Sequence, residues 1–191
     1  GRDAKKLRAL KDELTQKYHV DVEFLNVDLS EKESVSKILR FISKKKLSVH
    51  TLVNNAGFAV YGKFSQTPWE QEEAMLRVNM LTLANLTKHI LPGMLARNEG
   101  KILNVASTAA FQPGPLMALY YASKSFVLSF SEALAEELVD TGVSVTCLCP
   151  GPTATHFQDR ARMQKSKIIT DGRLMSAREV AEQAYHALQN K

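Results

Sequence analysis

Short segments rich in β-branched residues alternate along this chain with longer segments of helical periodicity, and this alternation limits the fold more than any other feature. The apolar segments have the length of buried strands, and helical patterns separate them. Strands that alternate with helices form a parallel sheet with helices on both faces, so the fold class is α/β. The predicted strands are Val20–Val27, His50–Asn54, Lys101–Val105 and Val143–Cys149.

The first two helical segments carry recognisable start signals. Asp3 is placed to cap a helix that runs to Tyr18. Ser30 has a glutamate, Glu33, three residues later, which is the spacing of a capping box. We therefore predict that a second helix begins at Ser30.

A long helical region follows Pro68 and reaches about Arg97. We expect it to be broken or bent near Asn79, and Pro92 to distort its last turns. Two further helices are predicted at Leu119–Asp140 and Ser176–Gln189, with an irregular segment at 152–175 between the last strand and the last helix. The chain has 191 residues, no internal repeat and no linker, which predicts a single domain.

Tyr120 and Lys124 are four residues apart at the start of a predicted helix, so their side chains project from one face. A free tyrosine titrates near about 10, and an adjacent ammonium favours the phenolate and lowers the pKa. Ser107, at the end of the preceding strand, supplies a hydroxyl that could polarise a carbonyl or alcohol oxygen. The plainer interpretation is a surface helix with an aromatic residue and a lysine on one side.

Charge and composition exclude several function classes. The net charge of +5 comes from scattered basic residues, and the one basic run, residues 44–46, closes a helix, so we expect no nucleic-acid partner. No apolar run approaches the length of a membrane span, which predicts no membrane partner and a cytoplasmic location. Cys147 and Cys149 fit small core residues in a reducing compartment. The five histidines share no metal-ligand spacing, so we predict no metal site.

The motifs occur in a fixed order: Asn54-Asn55-Ala56-Gly57 after a strand, Ser107 after the next, then Tyr120 and Lys124, then Pro150-Gly151. This ordered set resembles the classical short-chain dehydrogenase/reductase family. The resemblance implies a Rossmann-like, doubly wound parallel sheet. It also implies an NAD(P)-dependent oxidoreductase that moves a hydride between nicotinamide and a carbonyl or alcohol substrate.

The resemblance assigns four catalytic residues. Tyr120 would be the general acid/base, and Lys124 would lower its pKa and hydrogen-bond the nicotinamide ribose. Ser107 would orient and polarise the substrate oxygen. Asn79 matches the asparagine that holds a relay water near the lysine; the alternative is a kink or cap residue.

The resemblance also assigns a cofactor site. Asp28 matches the acidic residue that meets the adenine amino group, with a helix cap as the equal alternative. The turn formed by Asn54, Ala56 and Gly57 would contact the adenosine ribose and stabilise the central sheet. The loop that holds the nicotinamide carboxamide corresponds to Pro150, Gly151, Thr153 and Thr155, where Thr153 departs from the family's usual valine or isoleucine.

Arg2 lies where NADP-preferring members carry an arginine for the 2′-phosphate. A guanidinium suits a phosphate because its planar fork can bind two oxygens. We therefore predict NADP, with NAD possible. The alternative is an ordinary exposed arginine at a helix start.

Parts of the family's fold have no counterpart in the sequence. The chain contains no glycine-rich dinucleotide-binding motif, and a final strand expected after the last helix is absent. In the resembled fold, two strands lie between those predicted at Val20–Val27 and His50–Asn54, so the latter would have an open edge. We expect an incomplete domain: part of a longer polypeptide, a truncated product, or a chain completed by an oligomer.

The substrate is poorly defined by sequence. Phe111, Pro113, Leu116 and Met117, with the segment Ala154–Met175, would border the pocket, which favours a small hydrophobic carbonyl or alcohol compound, with an acyl or acidic tail as the alternative. The helices at 68–97 and 119–140 would form a homodimer or homotetramer, as the resemblance implies. Two alternatives stay open: a catalytically inactive scaffold or interaction protein of this family, and an unrelated α/β binding domain.

Overall fold

The computed structural model describes residues 1–154 and 174–189. Its contacts divide the chain into two compact units, Gly1–Ser48 and Val49–Lys191, which are described separately below. The expectation of one domain stays a prediction. None of the helices in the described ranges is both long and apolar enough to cross a membrane.

The first unit contains helices α1, Ala4–Tyr18, and α2, Ser34–Lys44. Asp3 caps α1 as predicted, because its carboxylate accepts from the Lys6 amide at 3.0 Å. The strand predicted at Val20–Val27 is wrong. Within residues 1–48, the backbone of this segment is hydrogen-bonded to Gly1 alone, whose carbonyl accepts from the Val27 amide at 2.9 Å and whose amine donates to the Leu25 carbonyl at 3.4 Å. A strand needs a partner along its length, and one residue does not supply a ladder.

The capping box predicted at Ser30 is also wrong. Helix α2 begins four residues later, and Glu33, at its N-cap position, makes no side-chain cap hydrogen bond. The Asp28 carboxylate accepts from both the Ser30 amide, at 2.9 Å, and the Ser30 hydroxyl, at 2.7 Å. Because this local turn uses the hydroxyl of Ser30, the serine does not cap the helix.

The second unit is built on a three-stranded parallel sheet in the order β1-β2-β3. The strands are β1, Thr51–Asn54, β2, Gly100–Val105, and β3, Val143–Leu148. Asn54 pairs with Asn104, and Asn104 pairs with Cys147, so these three residues form one row across the sheet. A two-residue parallel pair, β4, Thr153–Ala154, and β5, Met175–Ser176, lies outside this sheet.

The helices of the second unit follow the predicted order. They are α3, Trp69–Leu76, α4, Leu83–Arg97, α5, Ala118–Glu137, and α6, Ala177–Gln189. The predicted break near Asn79 is confirmed, since a π-helical segment, Arg77–Thr82, joins α3 to α4. Pro92 lies inside α4, as expected.

Helices cover both faces of this sheet. Leu103 of β2 packs against Ala184 and Leu188 of α6. The next residue, Asn104, points the other way, and its amide donates to Ser131 of α5 at 2.9 Å. Strand β2 is therefore enclosed on both sides, as its buried residues require.

A row of buried polar side chains, which we term the polar ladder, connects the sheet to α4 and α5. It consists of Thr87, Asn54, Asn104 and Ser131. The Asn54 amide donates to Thr87 at 3.1 Å and to Asn104 at 2.8 Å, and Asn104 donates to Ser131 at 2.9 Å. Buried polar groups are tolerated where each finds a partner, so the ladder fixes these elements relative to one another.

Replacing Asn104 tests the ladder. Asn104→Ala leaves an Asn54 amide hydrogen and the Ser131 oxygen without their present partner, at a cost of about 2–4 kcal/mol in the free energy of unfolding. Urea denaturation measures this loss. Asn85→Ala, on the exposed side of α4, is the matched control and should change stability little. An equal effect of the two substitutions would contradict a stabilising role for the ladder.

Candidate active site

A cleft of about 1030 Å³ lies in the second unit, where strands β1, β2 and β3 end. In a parallel α/β sheet, ligands bind at the carboxyl ends of the strands. The predicted site residues that line the cleft are Gly57, Ser107, Tyr120, Lys124, Pro150, Gly151 and Thr153. The structure therefore brings together residues that are nearly a hundred positions apart in the sequence.

Tyr120 lies in the first turn of α5 and is 8% exposed. Its ring belongs to an apolar cluster with Ala59 and Met117, and Tyr121 meets it edge-on with 6.0 Å between ring centroids. Burial raises the pKa of the Tyr120 phenol, and a hydrogen bond with the Ser107 side chain partly offsets this rise. The lowered pKa expected from sequence is therefore wrong for the free protein, because burial outweighs the neighbouring groups.

Lys124 follows one turn later on α5 and is 6% exposed. Its ammonium donates to the carbonyl oxygen of Val105, the last residue of β2, at 2.8 Å, and lies 5.8 Å from the centroid of the Tyr120 ring. Burial lowers the pKa of Lys124 to about 8, while the thiols of Cys147 and Cys149 act in the opposite direction. The lysine thus faces the same cleft as Tyr120 and can change charge near neutral pH.

Ser107 follows the end of β2 and contacts the loop after β3. It precedes a 3-10 helix, Thr108–Phe111, and its oxygen accepts from the Ala109 amide at 3.1 Å. Its hydroxyl lies 3.4 Å from the Pro150 carbonyl oxygen, and the side chain also hydrogen-bonds Tyr120. The two hydroxyls predicted to meet a substrate oxygen are therefore neighbours in the folded chain.

Asn79 is 2% exposed and lies in the π-helical segment. Its side-chain oxygen accepts from the Phe58 amide at 3.2 Å, and its nitrogen donates to the Phe58 carbonyl at 3.0 Å. The same nitrogen donates to Ser123 at 3.1 Å. Asn79 therefore holds the turn after β1 against α5, while the relay-water role stays a prediction.

The residues predicted for the turn after β1 do not all lie at the cleft. Gly57 borders the cleft, but the Asn54 side chain lies in the polar ladder, and Ala56 is exposed and is not part of the cleft lining. Asn55, which the sequence analysis did not single out, lines the cleft instead. Residues on a strand alternate between the two faces, so Asn54 reaches the sheet interior and supports only the sheet-stabilising part of its predicted role.

The loop after β3 contributes Pro150, Gly151 and Thr153 to the lining. A Cβ built on Gly151 would meet nothing within 4 Å, so the backbone here is open to a ligand. The Thr153 hydroxyl donates to the Gly151 carbonyl at 3.0 Å. Thr155 and most of the segment Ala154–Met175 lie outside the described residues.

Arg2 and Asp28 are neighbours within the first unit. The Arg2 guanidinium lies 3.4 Å from the Asp28 carboxylate, and the arginine side chain is 68% exposed. The two hydrogen bonds from Ser30 lower the pKa of Asp28, and Arg2 adds to this shift. Their cofactor contacts stay predictions.

Several residues of the cleft were missed or misplaced by sequence reasoning. Phe111, Pro113 and Leu116 do not line the cleft, whereas Met117 does. Thr108, Gln112, Tyr121 and Tyr185 line it without having been predicted. No local pattern marks these residues: Thr108 and Gln112 belong to the segment of the 3-10 helix after β2, and Tyr121 and Tyr185 reach the cleft through the packing of α5 and α6.

Sequence comparison identifies relatives over most of the chain. The short chain dehydrogenase family model matches residues 1–166. A 7beta-hydroxysteroid dehydrogenase of Mediterraneibacter gnavus is 32% identical over 155 residues, which are 81% of this chain and 58% of that protein. A very-long-chain 3-oxoacyl-CoA reductase of Anas platyrhynchos is 34% identical over 159 residues, or 81% of this chain and 51% of that protein. The chain thus spans somewhat more than half the length of these relatives.

Structural comparison gives the same result. A short-chain dehydrogenase from Sphingobium yanoikuyae in complex with NADPH superposes with a TM-score of 0.87 at 30% identity, covering 97% of this chain and 71% of that one. The predicted Rossmann-like fold is thereby confirmed. Family model, sequence relatives and fold agree, and this chain belongs to the short-chain dehydrogenase family.

Proposed function

We propose that this chain carries the catalytic residues of an NADP(H)-dependent oxidoreductase that interconverts a carbonyl and an alcohol. The observation that carries the proposal is the convergence of Ser107, Tyr120 and Lys124 on one cleft at the ends of the parallel strands. A buried phenol, a hydroxyl beside it and a buried ammonium are the groups needed to hold a carbonyl oxygen and exchange a proton with it.

Tyr120 is the proposed general acid/base. Because burial raises its pKa, the phenol keeps its proton at neutral pH and can donate it to a carbonyl oxygen in the reductive direction. Ser107 is placed to hold the same oxygen by a hydrogen bond. In the reverse direction, Tyr120 would accept the proton of the alcohol.

The residues around the cleft fit a nicotinamide cofactor. Gly57 and Gly151 border it without side chains, and a Cβ at Gly57 would lie 3.6 Å from the Lys124 ammonium. Lys124 would donate to the ribose and, while charged, favour the phenolate form of Tyr120. Thr153, which borders the cleft, is the proposed contact to the carboxamide. When bound, NADP(H) would supply or accept the hydride.

NADP is the proposed form of the cofactor because several similar solved proteins are described with NADP or NADPH. Arg2 is the proposed contact to the 2′-phosphate, and Asp28 the proposed contact to the adenine. The sequence contains no glycine-rich motif of the Gly-x-Gly-x-x-Gly kind, so no residue is assigned to the pyrophosphate.

The proposed substrate is a hydrophobic carbonyl or alcohol compound. Ala109, Met117 and Tyr121 surround the reactive end of the cleft with largely apolar surface. The two relatives described above are named for a hydroxysteroid and for a very-long-chain 3-oxoacyl-CoA, both of which have large apolar parts. A matching apolar substrate would gain affinity by burial in this cleft.

We also propose that the protein forms a homodimer or homotetramer through α4 and α5. Leu81, in the π-helical segment before α4, is 55% exposed, and Leu95, in α4, is 40% exposed. Phe126 and Phe130 on α5 stack with 5.9 Å between their rings and stay partly exposed. Association would bury these apolar side chains.

Substitution of the phenol tests the catalytic proposal. Tyr120→Phe removes the proton donor and should lower kcat by about 10²–10⁴-fold while NADPH binding and the fold persist. The assay is NADPH oxidation with a panel of hydrophobic ketones. The matched control is Tyr121→Phe, the adjacent tyrosine, which should keep nearly native turnover. Equal turnover by the native protein and Tyr120→Phe would contradict the role of Tyr120, whereas a folded native protein without turnover would support the inactive-scaffold interpretation.

Fluorescence titration with NADPH and NADH tests the cofactor. We expect NADPH to bind more tightly, and Arg2→Ala to reduce the preference by about tenfold, the value of a charge-assisted hydrogen bond. Arg8→Ala, which removes another exposed arginine of the same unit, should leave the preference unchanged. If Arg2→Ala still binds NADPH more tightly than NADH to the same degree, Arg2 does not contact the 2′-phosphate.

The shifted pKa of Lys124 predicts a pH dependence of stability. Its folded-state pKa, about 8, lies below the ordinary value of 10.5, so the unfolded chain binds more protons between these pH values. Stability should therefore rise with pH across this window, by about 3 kcal/mol from this residue. Lys124→Met should lack the rise.

Urea unfolding at pH 7.5 and 9.5 would measure the part of this rise that lies between the two pH values, about 2 kcal/mol, as the difference between native protein and variant. The raised pKa values of Tyr120 and Cys147 act in the opposite direction at high pH, and the comparison cancels them. Lys88→Met, at an exposed position of α4, should follow the native curve. Parallel curves for Lys124→Met and native protein would contradict a buried ammonium.

A further inference from the structure

Ser123 lies on α5 directly between the two proposed catalytic residues of that helix, and it is fully buried. Its hydroxyl donates to the carbonyl oxygen of Tyr120 at 2.7 Å, and its oxygen accepts from the Asn79 amide at 3.1 Å. None of the catalytic or cofactor-binding roles proposed above involves the Ser123 side chain. Its two hydrogen bonds nevertheless connect three parts of the site.

The direction of these hydrogen bonds follows from what each atom can do. A backbone carbonyl only accepts, so the single proton of Ser123 goes to Tyr120. The oxygen of Ser123 can then offer only a lone pair to Asn79, which must present its nitrogen. The second hydrogen of that nitrogen reaches the Phe58 carbonyl, and the Asn79 oxygen accepts from the Phe58 amide. Both ends of the Asn79 amide are thereby used.

The turn that Asn79 holds lies against Lys124. A Cβ added to Gly57 would be 3.1 Å from the Asn79 oxygen and 3.6 Å from the Lys124 nitrogen. Any movement of Asn79 therefore moves the wall of the space in which the ammonium lies. Ser123 accepts the one hydrogen bond of the Asn79 nitrogen that does not go to Phe58. Ser123 therefore fixes Asn79 from the side of α5.

We propose that Ser123 is a positioning residue, which fixes the Asn79 amide and through it holds the turn at Gly57 and Phe58 against Lys124. The inference deepens the proposed function and rests on it, because it assigns Ser123 a purpose in setting the surroundings of the proposed catalytic lysine. Ser123 itself is not part of the cleft lining. Its effect is transmitted by Asn79.

The consequence for Lys124 has a definite sign. The ammonium is destabilised by burial, so a looser turn that admits water raises the pKa of Lys124 from about 8 toward its ordinary value. The titratable groups that face this lysine are Tyr120 on its own helix, Cys147 in β3 and Cys149 directly after β3. Substitution of Ser123 changes none of these groups.

The experiment measures the pKa of Lys124 directly. Protein labelled with ¹³C-lysine is titrated by NMR, with the Lys124 signal identified by its loss in Lys124→Met. In Ser123→Ala, we expect the midpoint to rise by about one pH unit as water enters. A hydrogen of the Asn79 amide also loses its partner, so its exchange with solvent should become faster.

Ser131 provides a matched control on the same helix. It is 2% exposed, its hydroxyl donates to the Val127 carbonyl at 2.6 Å, and its oxygen accepts from the Asn104 amide at 2.9 Å. Ser131→Ala therefore removes an equivalent pair of hydrogen bonds eight residues further along, together with the hydrogen bond between Ser131 and Cys147. Loss of that bond raises the pKa of Cys147, which opposes an upward shift of the Lys124 midpoint. We expect a similar fall in Tm for both variants, but a shifted Lys124 midpoint for Ser123→Ala alone.

An unchanged midpoint in Ser123→Ala, or an equal shift in Ser131→Ala, would overturn the inference. If Ser123→Ala does not fold, Ser123→Cys fills the same space with a weaker acceptor and should move the midpoint in the same direction. An unchanged midpoint in that variant would also overturn it. The titration needs no turnover, so a native protein without NADPH-dependent activity would refute the proposed function while the role of Ser123 is still decided.

Discussion

The hydrogen bond from the Lys124 ammonium to the Val105 carbonyl joins the helix that carries the proposed catalytic side chains to the central strand of the sheet. An ammonium buried to this extent is costly unless it is hydrogen-bonded, and the last carbonyl of β2 supplies that partner. The bond fixes the height of α5 relative to the strand ends. Tyr120, one turn earlier, is thereby held beside Ser107, which follows β2 by two residues.

The same helix is attached to its surroundings by two serines that act alike. Ser131 binds Asn104 in the polar ladder, and Ser123 binds Asn79 beneath the cleft. Both hydroxyls donate to a carbonyl of their own helix and accept from a buried asparagine. One attachment holds α5 on the sheet, and the other holds the turn after β1 near the lysine. Polar groups buried in pairs of this kind favour one arrangement over its alternatives, because each unpaired member would cost about 1–3 kcal/mol.

Electrostatics in the free protein differ from the simple expectation of a lysine beside a tyrosine. Both side chains are buried, and burial disfavours the charged form of each, so it raises the pKa of Tyr120 and lowers that of Lys124. At neutral pH this favours a protonated phenol beside a lysine that is still mostly charged but titrates far below its ordinary range. Such a pair suits proton donation to a carbonyl oxygen, and it makes the lysine sensitive to small changes in hydration.

Much of the fold could be predicted because its signals are local. The strands β1, β2 and β3 and the five helices α1, α3, α4, α5 and α6 follow from periodicity and breakers, and Asn79 marks the break between α3 and α4. The errors occurred where a local signal had a competitor. Ser30 was bound by Asp28 instead of capping α2, and the segment at Val20–Val27 found no full partner among residues 1–48.

The sequence by itself determined the family, the order of strands and helices after residue 48, and the candidate site residues Ser107, Tyr120 and Lys124, because spacing and residue type can be read without coordinates. Only the tertiary structure decided which neighbours of these residues face the cleft. The side chain of Asn54 lies in the polar ladder, whereas Asn55 lines the cleft. Ser123 accepts a hydrogen bond from Asn79, which is forty-four positions away in the chain. Side-chain direction, burial and the resulting pKa shifts depend on what packs against a residue, and that partner is distant in the chain.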